Sequence, residues 1–302
     1  MRNEWTIRKV LNWAKEDFKR AGIIQSRFEA EVLLAHSLDV ERLHLYLHPD
    51  QPLDRNVLSR YRKLIEARRQ GIPIQHLTGR VDFMGLTLQI DNRALIPRPE
   101  TEELIEQVIE DLGSRGDRGD LRILDLGTGT GAIAISLARV LPDAFICAVD
   151  ISAAALDLAR ENAARNEVVD RIAFLRSNWV SGLSGRFDCI VSNPPYIDAE
   201  ELGELEAELR YEPHIALDGG EGGLDALRTI IREAPDHLND GGGLYLEIGE
   251  RQGEAVKQII LETGDFEPPE VLKDLSGKDR IVRARRRSEL ISRAGDGDER
   301  LL

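Results

Sequence analysis

Short apolar runs alternate with segments of helical periodicity through the C-terminal part of the chain. The runs are "LRILDL", "FICAVD", "RIAFLR", "FDCIVS" and "GLYLEI". Segments with helical spacing lie between or after them, such as Ala153 to Arg165 and Arg251 to Glu262. Alternating strands and helices of this kind are typical of a parallel sheet with helices on both faces. We therefore predict an α/β fold with a Rossmann-like, doubly wound sheet.

The N-terminal part has a different pattern. Its apolar positions recur at helical spacing in two segments, first Ile7, Val10, Leu11, Ala14 and Phe18, then Val57, Tyr61, Leu64 and Ile65. This pattern predicts a small helical bundle, and we expect Trp5 and Trp13 to belong to its core.

A third pattern joins the two regions. In "VDFMGLTLQID" apolar and polar residues alternate after Gly85, which puts Leu86, Leu88 and Ile90 on one face and predicts a β-hairpin. We expect a helical domain at 1–76, a hairpin linker at 77–96, the α/β domain at 97–286 and a disordered tail at 287–302. The polar stretch "GSRGDRGD" before the first strand is expected to be an exposed loop.

Charge and composition limit the partners. The 302 residues include 40 basic and 54 acidic side chains, a net charge of −14, which argues against nucleic acid and against anionic membranes. No apolar run approaches the roughly 20 residues that span a bilayer, and the start "MRNEWTIRKV" lacks the apolar stretch of a signal peptide. We expect a cytoplasmic protein.

The cysteines and histidines predict no metal site. Cys147 and Cys189 both lie inside apolar runs, so we interpret them as reduced core thiols, and the six histidines show no ligand spacing. We also expect a monomer, because neither a heptad repeat nor a long exposed apolar stripe is visible.

A glycine-rich loop follows the first strand of the α/β region. In "DLGTGTG" the glycines Gly127, Gly129 and Gly131 permit a tight turn and close approach of a ligand, with Thr128 and Thr130 between them, and a helix begins near Ala132. The spacing is neither the dinucleotide GxGxxG nor a phosphate-binding loop. It predicts a nucleotide-type pocket, the alternative being a purely structural turn.

Polar residues follow the next two strands. Asp150 ends the second strand, where its carboxylate is suited to accept two ribose hydroxyls. The alternative is a helix N-cap, although Ser152 is available for that role. After the third strand, Asn178 and Trp179 are expected where an adenine base would lie.

The fourth strand ends in "SNPPYI". Pro194 and Pro195 cannot continue a strand ladder and instead hold a rigid extended turn, either as a simple loop stiffener or to position neighbouring groups.

The glycine loop, the acidic strand end and the Asn-Pro-Pro-Tyr turn together resemble class I S-adenosylmethionine-dependent methyltransferases that act on planar amino or amide nitrogens. The resemblance implies S-adenosyl-L-methionine as cofactor. It also implies that the Asn193 side-chain oxygen and the Pro194 carbonyl accept hydrogen bonds from the NH₂ group, with Asn193 facing the cofactor as well. Tyr196 would pack against the planar group, and Pro195 would help to hold the site rigid.

Longer motifs narrow the resemblance. The segments "PIQHLTGRVDFMGLTLQIDNRALIPRPETEEL", "LRYEPHIALDGGEGGLDALR" and "LEIGERQGE" are similar to the protein-(glutamine-N5) methyltransferases that modify peptide-chain release factors, and the likeness runs from Glu4 to Ala284. It implies that the substrate is the glutamine of a Gly-Gly-Gln loop on class 1 release factors, bound through the helical domain. His76 stands where the family pattern has Tyr, and Gly222 where it has Asp, which puts local packing and loop order in question.

Two other functions share parts of this pattern. Amino methyltransferases of DNA adenine or cytosine also carry an Asn-Pro-Pro-aromatic turn, but they need a basic surface. A binding module that kept the pocket without catalysis should have lost Asn193 or the glycine loop.

Three further residues are candidates of second rank. In "RPETEE" we favour a capping role, with Pro99 starting a helix, over a functional role for Arg98 and Glu100. Glu247 is open between a structural and a functional role.

Overall fold

The computed structural model describes residues 5–113, 121–204 and 209–288. Within them the chain forms two compact units: residues 5–80 with 209–211, and residues 81–204 with 212–288. The predicted loop at 114–120 and the tail from residue 289 onward lie outside the described residues.

The first unit consists mainly of helices, as the spacing predicted. They are α1 (Ile7–Arg20), α2 (Ser26–Leu38), α3 (Arg42–Leu47), α4 (Arg55–Arg69) and α5 (Ile74–Thr78). Both predicted apolar stripes face the core of this unit, where Ile7, Phe18 and Tyr61 are almost fully buried. Asp54 starts α4, because its carboxylate accepts the backbone N–H groups of Asn56 and Val57 at 2.8 Å.

The prediction for the two tryptophans was wrong. Trp5 and Trp13 are 43% and 42% exposed and do not belong to the core. Trp5 precedes α1, and Trp13 is about 100° around the helix from Ala14, which places it beside the buried stripe. Size and apolarity alone suggested burial, whereas the helical phase of Trp13 argued against it.

The predicted hairpin is present. Strands β1 (Arg80–Phe83) and β2 (Leu86–Gln89) pair with each other. The two residues between them, Met84 and Gly85, have φ of 47° and 72°, as a tight two-residue hairpin turn requires. Leu88 and Ile90 are buried on the face that the alternation predicted.

The second unit contains the predicted sheet. Its strands are β3 (Arg122–Leu126), β4 (Phe145–Asp150), β5 (Ile172–Arg176), β6 (Phe187–Ser192), β7 (Leu238–Glu247), β8 (Glu270–Lys273) and β9 (Asp279–Arg285). Their order is β5-β4-β3-β6-β7-β9-β8. The first five are parallel, whereas β9 is antiparallel to β7 and β8. This antiparallel edge adds to the parallel sheet that the sequence predicted.

Helices provide the apolar layers against which the sheet packs. They are α6 (Pro99–Gly113), α7 (Ala132–Val140), α8 (Ala153–Arg165), α9 (Asp225–His237) and α10 (Gly253–Thr263). Alternate residues of one strand enter different layers. In β6, Cys189 and Val191 pack with residues of α6 and α7, while Ile190 packs with residues of α9 and α10. Because both faces are buried, the strands appear in the sequence as continuous apolar runs.

The chain direction through the sheet changes at β3. From β3 the order proceeds to β4 and β5 on one side and to β6 and β7 on the other. At such a switch point the loops leave the carboxyl ends of neighbouring strands in opposite directions and open a crevice. The glycine loop after β3 and the Asn-Pro-Pro-Tyr turn after β6 therefore border the same crevice.

Two other observations concern the sequence predictions. Cys147 and Cys189 are both buried and are not joined in a disulfide, as predicted. Across the ranges that the structure describes, none of the helices has both the length and the apolar character needed to cross a membrane.

Candidate active site

A cavity of about 350 Å³ opens at the carboxyl ends of β3, β4 and β6, within the second unit. We call its two walls the glycine-loop side and the Asn193 side. The glycine-loop side is formed by Gly127, Thr128, Gly129, Thr130, Asp150, Asn178 and Trp179. The Asn193 side includes Thr101, Asn193 and Pro195. The structure thus brings most of the predicted site residues to one cavity.

The glycine loop turns sharply, as its composition predicted. Gly127, Gly129 and Gly131 have φ of 74°, 56° and 83°, a region that side chains rarely adopt. At Gly131 a Cβ atom would lie 2.9 Å from Ile135 Cδ1 and 3.1 Å from Ala159 Cβ. Gly131 is not among the residues of the cavity wall, and its missing side chain instead lets α7 and α8 pack closely.

Asp125, near the end of β3, fixes the glycine loop through hydrogen bonds. Its fully buried carboxylate accepts the Thr128 hydroxyl at 2.6 Å and the Ala134 backbone N–H at 3.2 Å, both through Oδ2. Among the described residues no donor reaches Oδ1. Burial raises the pKa of Asp125 to about 7, although these hydrogen bonds act to lower it. Sequence reasoning quoted this residue without giving it a role.

Asp150 is bound to backbone groups on both of its oxygens. Oδ2 accepts the Gly129 N–H at 2.9 Å and Oδ1 accepts the Ser152 N–H at 2.8 Å. The Ile151 backbone N–H contributes a third hydrogen bond. A carboxylate has about four acceptor positions, so these contacts leave it able to accept a further donor. Burial raises the pKa of Asp150, against the lowering effect of the backbone hydrogen bonds. The N-cap of α8 is Ser152, whose hydroxyl accepts the Ala155 N–H at 3.2 Å.

The Asn178–Trp179 pair closes the glycine-loop side. Trp179 has a φ of 49°, and its ring faces the loop, since a Cβ on Gly127 would lie 3.7 Å from Trp179 Cζ3. Asn178 is exposed at the edge of the cavity.

The Asn193 side is built from a chain of side-chain hydrogen bonds. The Asn193 amide donates through Nδ2 to Thr101 Oγ1 at 3.0 Å, and the Thr101 hydroxyl donates to Glu247 Oε2 at 2.7 Å. The Tyr196 hydroxyl donates to Glu247 Oε1 at 3.2 Å. Pro194 is buried, and neither Pro194 nor Tyr196 is among the described residues that line the cavity.

Glu247 is the buried end point of this chain. It is 0% exposed, and burial raises its pKa to about 7, although the hydrogen bonds from Thr101 and Tyr196 and the nearby Arg280 act to lower it. Burial also raises the pKa of the Tyr196 phenol, and the Glu247 charge raises it further.

The backbone of the Asn-Pro-Pro-Tyr turn is held by the segment after residue 217. A Cβ on Gly223 would lie 2.1 Å from the Tyr196 carbonyl oxygen, and one on Gly219 would lie 2.8 Å from the Pro195 oxygen. Only glycine permits these approaches. The Gln252 amide donates to the carbonyls of Tyr196 and Gly222, both at 3.0 Å, and so joins the turn to this segment.

Of the two departures from the family pattern, Gly222 takes part in these contacts only through its backbone carbonyl, which accepts from Gln252. At Gly222 the backbone has a φ of 62°, and a Cβ would meet only Leu224 Cδ1 at 3.8 Å, so the position has room for a side chain. An aspartate tolerates this φ better than most residues do. His76 lies in α5 of the first unit and is partly buried.

The second-rank candidates separate into two groups. α6 begins at Pro99, as expected, and Arg98 forms an ion pair with the buried Glu212, whose other oxygen accepts the Ile96 N–H at 2.8 Å. Neither Arg98 nor Glu100 is among the described residues of the cavity wall. Glu247, in contrast, bonds Tyr196 directly. Sequence reasoning missed Thr101, because a single threonine in an acidic helix start carries no signal.

The cavity fits S-adenosyl-L-methionine on its chemistry. Gly127 and Gly129 offer backbone without side chains, and Asp150 presents to the cavity a carboxylate that can accept a ribose hydroxyl. Trp179 adds an aromatic face beside them. These groups match the nucleoside part of the cofactor. The Asn193 side of the cavity remains for the polar group that receives the methyl.

Comparison with known proteins defines the class. The methyltransferase small domain family matches residues 104–208. A Pyrococcus furiosus methyltransferase of known structure superposes with a TM-score of 0.50 at 20% identity, covering 68% of this chain and 90% of that one. The hMettl16 catalytic domain reaches a TM-score of 0.55 at 17% identity, covering 74% and 81%. The fold is that of a class I methyltransferase, an enzyme class that uses S-adenosyl-L-methionine.

The curated relatives are more specific. The PrmC N-terminal domain family matches residues 9–79. A release factor glutamine methyltransferase of Moorella thermoacetica is 40% identical over 285 residues, 94% of this chain and all of the relative. One from Xylella fastidiosa strain Temecula1 is 43% identical over 257 residues, 85% and 92% of the two chains. The chain belongs to the release factor glutamine methyltransferase family, as the sequence motifs predicted.

Proposed function

We propose that this enzyme methylates the side-chain nitrogen N5 of the glutamine in the Gly-Gly-Gln loop of class 1 release factors and so supports translation termination. The names of the curated relatives support the release factor as substrate. The single observation that carries the chemistry is the Asn193 amide, which lines the cavity with its NH₂ end held by Thr101.

A side-chain amide nitrogen is a weak nucleophile because its lone pair is delocalised into the carbonyl group. In the proposed reaction, Asn193 Oδ1 accepts one N–H group of the glutamine. The second acceptor is the Pro194 carbonyl oxygen, which the resemblance implies and which belongs to the peptide between the two wall residues Asn193 and Pro195. Two fixed acceptors hold the amide in one orientation, with the nitrogen facing the glycine-loop side. They also stabilise the positive charge that develops on the nitrogen during transfer.

The other predicted residues complete the two sides. Tyr196 packs against the planar amide, and Pro195 keeps the turn rigid. On the glycine-loop side, the backbone from Gly127 to Thr130, Asp150 and the Asn178–Trp179 pair bind the cofactor, and Gly131 lets the helices behind the loop pack closely. S-adenosyl-L-methionine supplies an electrophilic methyl group carried on a sulfonium.

Glycines beside the target fit this arrangement. A glutamine that reaches Asn193 with its side chain extended brings its own backbone close to the enzyme, and flanking glycines have no Cβ to clash. We infer that the N-terminal helical domain supplies remote contacts to the rest of the release factor. We also infer that the enzyme acts as a monomer, on a protein rather than on nucleic acid. The net charge of −14 supports a protein substrate.

The test is methylation of a purified full-length class 1 release factor, with the modified residue located by mass spectrometry after proteolysis. We expect one methyl group on the Gly-Gly-Gln glutamine, and none on a release factor whose glutamine is replaced. Because remote contacts position the reacting group, a short Gly-Gly-Gln peptide should react far more slowly than the intact protein. Equal rates on peptide and protein, or efficient methylation of duplex DNA, would contradict the proposal.

A further inference from the structure

We propose that Thr101 and Glu247 are positioning residues that fix which end of the Asn193 amide faces the cavity. The inference rests on the proposed function, in which Asn193 Oδ1 accepts a hydrogen bond from the substrate amide. It adds the reason why the Asn193 amide has one orientation, because the Asn-Pro-Pro-Tyr turn itself does not decide between the two.

The two ends of an asparagine amide have nearly the same shape and opposite hydrogen-bonding character. The oxygen accepts, whereas the NH₂ group only donates. A substrate NH₂ group that met the donor end would find no acceptor, and the two groups would repel each other. A half-turn about the last side-chain bond of Asn193 therefore separates a productive site from an unproductive one.

Thr101 makes this choice because a hydroxyl has a single proton to donate. That proton is used towards Glu247 Oε2, at 2.7 Å. Towards Asn193 the Thr101 oxygen is then an acceptor only, and Nδ2 is the one end of the amide that donates. The observed Nδ2 contact at 3.0 Å agrees with this, and it directs Oδ1 away from Thr101.

Glu247 in turn fixes the direction of the Thr101 hydroxyl. An ionised carboxylate has no proton to donate, so every group that bonds it must be a donor. Its two oxygens receive the hydroxyls of Thr101 and Tyr196, one each. One buried side chain therefore orients two residues of the turn, Asn193 indirectly and Tyr196 directly. A polar chain in which every link is used is rigid, because each alternative leaves a buried group unpaired.

The first experiment compares two substitutions of Thr101, with turnover measured at saturating cofactor and release factor. Thr101→Val keeps the shape and removes the hydroxyl, and we expect turnover to fall on the order of ten- to a hundredfold, as for a misplaced reacting group. Thr101→Ser keeps the hydroxyl and should stay within about threefold of the original enzyme. Thr87→Val is the matched control, because Thr87 is an exposed residue of β2, outside the cavity wall.

A double-mutant cycle then separates positioning from a general structural role. If Thr101 acts only through Asn193, Thr101→Val should change turnover by less than about twofold in an Asn193→Ala background. A purely structural loss would instead multiply with the loss from Asn193→Ala. Thr101→Ala provides a second truncation for the same cycle in case the valine variant does not fold.

A readout without turnover comes from the side-chain amide signals of Asn193 in ¹⁵N–¹H NMR spectra, recorded with S-adenosylhomocysteine bound. We expect the two Asn193 amide protons to shift and exchange faster with water in Thr101→Val, and to remain as in the original enzyme in Thr101→Ser. Calorimetric titration with S-adenosylhomocysteine should give similar affinities for all three proteins, since Thr101 lies on the other side of the cavity.

The outcomes distinguish the two levels of the account. If Asn193→Ala is active, the proposed role of the turn fails, and the positioning role fails with it. If Asn193→Ala is inactive but Thr101→Val is active, or if their losses multiply, only the positioning role is overturned. Loss in Thr101→Val, recovery in Thr101→Ser and no further loss in the double variant would support it.

Discussion

The two sides of the cavity are built by different kinds of contact. On the glycine-loop side, backbone groups hold the polar side chain in place. Asp150 accepts hydrogen bonds from the N–H groups of Gly129 and Ser152, which are 21 and two residues away along the chain. On the Asn193 side, Asn193, Thr101 and Glu247 are joined only through side chains, across 92 and 146 residues. Local geometry sets the first side, and tertiary packing sets the second.

This difference has a functional consequence. We expect changes on the glycine-loop side to alter cofactor affinity, and changes on the Asn193 side to alter the rate of transfer. The predictions below vary one side at a time, beginning with the substitution of largest expected effect.

The largest effect is expected for Asn193→Ala. This substitution removes one of two acceptors that stabilise charge in the transition state, so turnover at saturating substrates should fall by about 10²–10³. The rate is measured by incorporation of a labelled methyl group into a release factor. Asn239→Ala, which removes an asparagine that bonds Asp188 instead, serves as the control. Near-normal turnover in Asn193→Ala would disprove the role of the turn.

Asp150→Ala should have the next largest effect, on binding. A hydrogen bond to a charged acceptor contributes about 1.5–3 kcal/mol, so losing one such bond to the ribose should weaken S-adenosylhomocysteine binding on the order of ten- to a hundredfold. Titration calorimetry measures this directly. Asp157→Ala is the matched control, since Asp157 is an exposed residue of the adjacent helix α8. Unchanged affinity in Asp150→Ala would show that Asp150 does not bind the cofactor and only holds the backbone of Gly129 and Ser152.

The third prediction concerns pH. Burial raises the pKa of Glu247 to about 7. The ionised carboxylate, which accepts from Thr101 and Tyr196, is therefore fully formed only above that pH. Below it, Glu247 is protonated and can donate to Thr101, which frees the Thr101 proton to turn the Asn193 amide. Turnover at saturating cofactor should therefore rise as pH increases through about 7 and then level off.

Glu247→Gln tests this assignment, because glutamine does not titrate. The rise in turnover through pH 7 should disappear in this variant. Above pH 7 its turnover should be lower than that of the original enzyme. The other charged or titratable groups that face Glu247 are Tyr196, Arg280 and Glu100. Asp125 has a raised pKa of about 7 as well, but it contacts the glycine loop, so any effect of its titration should be present equally in Glu247→Gln and in the original enzyme. An unchanged pH profile in Glu247→Gln would assign the rise to another group.

The smallest effect is expected for Gln252→Ala. It leaves the Tyr196 carbonyl without its side-chain donor, and an unpaired buried group lowers the free energy of unfolding by about 1–3 kcal/mol. Thermal denaturation should show a Tm lower by several degrees, with turnover reduced only a few-fold. Gln258→Ala, at an exposed position of α10, the helix that Gln252 directly precedes, should leave Tm nearly unchanged.

The same contrast explains what the sequence predicted. Continuous apolar runs arise from strands that are buried on both faces, and a glycine-rich loop with positive φ can be recognised locally, so the sheet and the glycine-loop side were predictable. Trp13 was misassigned because size was weighed above helical phase. Thr101 was missed because its role depends on Glu247, 146 residues away in the chain, and no local spacing records that contact. Glu247 was noticed as an acid beside an apolar run, but its role stayed ambiguous because its hydrogen-bond partners lie elsewhere in the chain.

The most direct test of the separation between the two sides measures each variant on the quantity that it should not change. S-adenosylhomocysteine affinity is determined for Asn193→Ala, and turnover on an intact release factor at saturating cofactor is determined for Asp150→Ala. We predict that each quantity stays within roughly threefold of the original enzyme, although Asn193 also faces the cofactor. If cofactor affinity falls in Asn193→Ala as far as turnover does, or if Asp150→Ala remains slow once cofactor is saturating, the cavity does not divide into a binding side and a transfer side.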